Sequence, residues 1–141
     1  MKSTKIILSA IFALGFTVAA HADAIPKRSK DFKANYQTLT QDQKAAPQIA
    51  ECVASAYDYV KKSKKYDRLG FTQNDIAAAA TSNKTIKFST HDPRKVTSVI
   101  AVSGEARPKT NSTHWDSITL RCGIAGGKLK AIELVTTKTA S

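Results

Sequence analysis

The chain has 141 residues and carries 22 Lys plus Arg against 11 Asp plus Glu, a formal charge of +11. That length fits one domain with one modest core, and after the first 22 residues no apolar run approaches the roughly 20 residues that span a bilayer, which excludes a helical membrane protein once a leader is removed. The charge directs attention to anionic partners, such as envelope polysaccharide, a phospholipid surface, nucleic acid or an acidic protein, although it also serves solubility alone.

Met1 to Ala22 reads as a secretory signal peptide: Lys2 and Lys5 precede an apolar run from Ile6 to Ala20, and Ala20-His21-Ala22 supplies the small residues of a cleavage site. Cleavage after Ala22 lowers the formal charge to +9, and no Cys near that point argues for a lipid anchor. The destination is then periplasmic or secreted, where the two cysteines, Cys52 and Cys122, are expected to pair. Closing so long a loop stabilises a small domain by about 4 kcal/mol in the chain-entropy model.

Residues 23–46 form a polar, basic stretch with Lys27, Arg28, Lys30 and Lys33, expected as a loosely docked arm with a helical turn around Phe32 to Leu39. Residues 47–141 are expected as a single α+β domain. Pro47 suits the first turn of a helix, and Ile49, Cys52, Val53, Ala56, Tyr57 and Val60 recur at the spacing of one helical face. The helix is expected to end in "KKSKKYDRLG", where Lys61, Lys62, Lys64, Lys65 and Arg68 form a candidate anion site with Tyr59 and Tyr66 beside it. Cations at a helix C-terminus also satisfy the macrodipole. Thr72 and Asp75 resemble a capping box opening an alanine-rich helix to about Ser82.

After Asn83 the apolar period changes to two. "TIKFST", "VTSVIAVSG", "HWDSITLRCGI" and "KLKAIELV" read as strands separated by turn signals, hence an antiparallel meander of three or four strands packed under one or two helices. Ile118, Leu120, Cys122 and Ile124 share the core face, so Cys122 points toward Cys52. A three-residue Ala125-Gly126-Gly127 loop is expected, because a two-residue Gly-Gly loop sets Glu133 opposite Leu120 on the core side. Glu133 should then face solvent, with Ile132 and Leu134 inward. Trp115 is expected as a packed aromatic at the sheet rim.

No constellation carries strong chemistry. His91, Asp92, His114 and Asp116 include metal-capable types without ligand spacing, so no metal or other cofactor is expected. Phosphate-loop, dinucleotide and EF-hand patterns are absent. A small secreted hydrolase, most plausibly a nuclease, is the alternative: Glu105 as base, His114 as acid and Arg107 on the phosphate flank one strand connection. An inhibitor of a cell-wall-degrading enzyme fits the size and disulfide, but fits the charge badly if the target is basic.

The export signal, the helix Cys52, and "WDSITLRCG" followed by "GKLKAI" resemble small secreted bacterial proteins of the BspC-like kind. The likeness covers Trp115 to Ile132 plus Cys52. It implies a periplasmic or secreted setting and a paired Cys, and supplies no catalytic residues. Helices followed by a meander are also similar to the small envelope-assembly modules of BamE-like architecture, a likeness of fold that implies no function. The leading expectation is a non-enzymatic exported binding module whose basic surface engages an anionic envelope component or an acidic protein.

Overall fold

The computed structural model describes residues 24–137; the expected signal peptide lies outside the described residues. The fold is α+β. Helix α1 (Phe32–Gln37) runs into a π-helical turn (Thr38–Asp42), followed by α2 (Pro47–Val60) and the short α3 (Gln73–Ala77). Strands are β1 (Tyr66–Gly70), β2 (Ala80–Ser82), β3 (Ile86–Lys87), β4 (Lys95–Val96), β5 (Ser98–Pro108), β6 (Asp116–Ala125) and β7 (Lys128–Thr136). The main sheet has the order β1-β5-β6-β7, with β2 sharing the β1 side of β5, and all its pairs are antiparallel.

The period-two pattern produces the central strands as expected. Ile100, Val102, Ile118, Leu120, Cys122 and Ile132 are buried on the face that meets α2. Cys52 and Cys122, both fully buried, form a disulfide with a Cα–Cα distance of 5.9 Å. It ties the middle of the main helix to a central strand and closes a sequence separation of 70 residues.

Helix α2 is buried on two sides, and this corrects the expectation of a loose arm. Its row Cys52, Ala56, Val60 belongs to the sheet side, whereas Ala50, Ala54 and Asp58 recur at the four-residue spacing of the opposite side and are buried too. The α1 segment packs on α2 and sends Phe32 and Leu39 into the same core. The helical turn expected around Phe32 to Leu39 is therefore present and docked.

Two local expectations fail for identifiable reasons. The basic helix end is not helical beyond Val60: Tyr66–Gly70 is a strand, with Tyr66 and Leu69 buried, paired to β5 through an irregularity between Tyr66 and Arg68. The alanine-rich helix begins as expected, with Asp75 N–H donating to Thr72 Oγ1 and Thr72 N–H donating to Asp75 Oδ2, but it stops at Ala77. Ala80–Ser82 instead adds to the free edge of β5, because ladder hydrogen bonds outweigh alanine's helix preference there.

The last hairpin gives Glu133, Ile132 and Leu134 the expected facing, but with a two-residue loop in place of the expected three and a register two residues away. Its loop has two residues, Gly126 and Gly127, both with positive φ as a type I′ turn requires. A bulge then restores the pattern: Ile124 pairs Leu129 but Gly123 pairs Ala131, leaving Lys130 unpaired, so Leu120 opposes Leu134 and Cys122 opposes Ile132. Glu133 lies on the outer face, as expected, but it is only half-exposed. Arg121 Nη1 donates to its Oε2 at 2.9 Å, and the same guanidinium lies over the Phe88 ring and bonds the Phe88 carbonyl.

A small hairpin of β3 and β4 accounts for that cover. Phe88 and Val96 pack with Val99 and Ala131 as a second, smaller core on the outer sheet face. Gly123 permits the approach, since a Cβ there would stand 2.7 Å from Val96 and 2.8 Å from Phe88. The expected first strand of a four-stranded meander is thus a separate hairpin lying on the sheet, and the sheet carries cover on both faces.

Candidate functional site

The turn after α2 is closed by local hydrogen bonds. Lys62 N–H donates to the Tyr59 carbonyl and Ser63 N–H to the Val60 carbonyl, closing the helix. The Ser63 hydroxyl oxygen then accepts from the backbone N–H groups of Lys65 and Tyr66. These bonds use the backbone's polar groups and leave the lysine side chains to point outward.

The five expected anion-binding residues are divided between two clefts. Lys61 is neutralised: its ammonium lies 3.0 Å from Asp31 Oδ2 and 3.5 Å from Asp58 Oδ1, and its pKa is raised, chiefly by the hydrogen bond to Asp31. Arg68 lines a cleft of about 400 Å³ together with Lys61, Asp31, Asp67 and Tyr57, where the signs of charge are mixed. Burial pushes the Tyr57 phenol up in that cleft, and its ring meets Phe71 edge-on.

Lys62, Lys64 and Lys65 remain together. They line a second cleft, of about 520 Å³, with Ala24, Ile25, Pro26, Tyr59 and Ser63. Among the described residues none of the three has a carboxylate partner; Lys65 donates to the neutral Thr136 hydroxyl at 3.0 Å and rests over the Tyr66 ring. Tyr66 in turn bonds Thr136 and Asp116 through its hydroxyl, and His114 Nε2 lies 3.1 Å from the other Asp116 oxygen. A polar chain thus runs from Lys65 to His114 along one end of the sheet. It orients Lys65 and leaves the charge of Lys62 and Lys64 uncompensated.

The residues of the alternative nuclease arrangement are engaged elsewhere. Arg107 is held by Asp67 in a two-pronged ion pair at 2.8 Å, which lowers the Asp67 pKa chiefly through that hydrogen bond. His114 pairs with Asp116, and Glu105 stands beside Gly70 and Ser117 in the sheet. No hydrogen bond or ion pair among the described residues joins Glu105, Arg107 and His114. Asp92 accepts from Arg94, and no group of three or more His, Cys, Asp or Glu residues among those described is placed to hold a metal. Trp115 is half-buried at the rim, its ring 3.5 Å from where a Gly70 Cβ would stand.

The contribution of Ala24, Ile25 and Pro26 to the lysine cleft has no signal in the sequence. These residues stand far before Lys62 in the chain and meet it only because the arm folds back along α2. A hub at Asp58 secures that return. Ser29 donates to Asp58 through its backbone N–H and its hydroxyl, and Lys61 adds its charge. Burial alone would raise the Asp58 pKa, but these bonds outweigh it and hold the carboxyl below its ordinary value. Comparison with known proteins brings no relative to bear: no family model, curated protein or solved structure matches the chain.

Proposed function

We propose that this protein is an exported, non-enzymatic binding module that captures an anionic envelope component at the cleft lined by Lys62, Lys64 and Lys65. One observation carries this reading: three lysines without carboxylate partners among the described residues line a single cleft, whereas Lys61 and Arg107 are each committed to carboxylates. Uncompensated charge at a concave surface concentrates counter-ions, and a ligand that displaces them gains affinity. The buried disulfide is compatible with an oxidising compartment, and no helix among the described residues is long and apolar enough to cross a membrane. The BspC-like likeness implies the same setting.

Binding of inorganic polyphosphate, a soluble polyanion, tests the reading. Affinity should fall steeply with added salt, since screening shortens to about 8 Å at physiological ionic strength. The triple variant K62Q/K64Q/K65Q should lose most of it. Equal binding by the triple variant would remove the site, and cleavage of RNA lost on His114→Ala would replace the reading with a hydrolase.

A further inference from the structure

Resting on the anion-binding reading, we propose that the lysine cleft takes a single-chain amphiphile with an anionic head, in chemical class an alkyl or acyl phosphate or carboxylate. The cleft is not lined by charge alone. Ile25 and Tyr59 are half-buried residues packed against the main core, and Pro26 is buried beside them; with Ala24 they bring apolar surface into the cleft that the three lysines also line. Lysine stems add methylene surface below each charge. An inorganic anion would use the ammonium groups and leave the apolar lining wet, whereas an amphiphile satisfies both. The volume of about 520 Å³ falls within the roughly 300–1,000 Å³ of small-molecule sites, which suits one chain rather than a flat bilayer contact.

Three other clefts contrast with this one. The cleft at Arg28, Phe32, Lys33 and Tyr36 has aromatic surface, but Glu51 accepts from Arg28 at 2.7 Å and leaves Lys33 as its single unpaired cation among the described residues. The cleft containing Arg68 has Asp31 and Asp67 in its lining. The one beside Phe71 presents Asp75 and Glu105 without any cation. Among these four, only the cleft at Lys62, Lys64 and Lys65 joins apolar lining to more than one cation without a carboxylate partner.

The test is calorimetric titration of the protein with inorganic phosphate, hexyl phosphate, octyl phosphate and the neutral octyl glucoside, each below its micelle concentration. Burial of each methylene should raise affinity up to about fourfold, so octyl phosphate should bind up to about fifteenfold tighter than hexyl phosphate. Octyl glucoside should bind more weakly than octyl phosphate. Ile25→Asn should erase the chain-length gain, read as the ratio of octyl to hexyl phosphate affinity within that variant, and K62Q/K64Q/K65Q should weaken every anion. Affinity independent of chain length, or an unchanged gain in Ile25→Asn, would overturn the amphiphile site while leaving the anion site standing. Loss of neither phosphate nor polyphosphate binding in the triple variant would overturn both. Binding to phosphatidylglycerol vesicles without any response to monomeric octyl phosphate would also overturn it, in favour of a surface contact with bilayers.

Discussion

Replacing Asp58 by Ala probes the join that brings the arm to the lysine cleft. The carboxylate is buried, accepts two hydrogen bonds from Ser29 and sits 3.5 Å from the Lys61 ammonium. Hydrogen bonds to a charged acceptor contribute about 1.5–3 kcal/mol each, and the half-exposed Lys61 contact adds little. Because the two Ser29 bonds share one residue and do not add fully, Asp58→Ala should lower stability by about 2–4 kcal/mol at pH 7. The dependence on pH follows from the lowered folded pKa: the contribution is fully present above the unfolded value of about 3.9 and is lost as pH falls through the folded value. Urea midpoints measured from pH 7 to pH 2 should therefore show a wide gap between parent and variant that closes in acid. Amide exchange should quicken from Phe32 through Asp42 in the variant. A gap below about 0.5 kcal/mol at pH 7, or one that persists unchanged to pH 2, would refute the hub.

Two further outcomes are expected. Replacing both Cys52 and Cys122 by Ala should cost about 4 kcal/mol in denaturant unfolding, from the loop entropy of a 70-residue separation, and the unfolded, unreduced parent should titrate with no free thiol. Glu133→Lys should cost about 1 kcal/mol and Glu133→Gln less, because the charge reversal faces Arg121 directly across the β6–β7 pair; a change within about 0.5 kcal/mol for the lysine variant would mean that the Arg121 pair contributes nothing.

The central strands and α2 were legible because their periodicities are long and each buries a face. Cys52 and Cys122 could be paired from those faces together with the expected export and the count of two cysteines. Tyr66–Gly70 was not legible as a strand: only Tyr66 and Leu69 are apolar, an irregular register separates them, and the lysines before them look like a helix end. Ala80–Ser82 was hidden by alanine's preference for helix, which the open edge of β5 overrides. Within the candidate site, the charge of Lys62, Lys64 and Lys65 could be read from the sequence. The neutralisation of Lys61 by Asp31, and the apolar lining from Ile25 and Pro26, depend on contacts between distant parts of the chain, which local patterns do not encode.

Backbone amide shifts of the isotopically labelled protein, followed as octyl phosphate is added, test the proposed site most directly. The largest changes should fall at Ile25 and from Tyr59 to Tyr66, diminish with salt, and disappear in K62Q/K64Q/K65Q. Shifts centred instead on Glu105, Arg107 and His114, or on the mixed-charge cleft at Arg68, would contradict the assignment of the lysine cleft as the binding site.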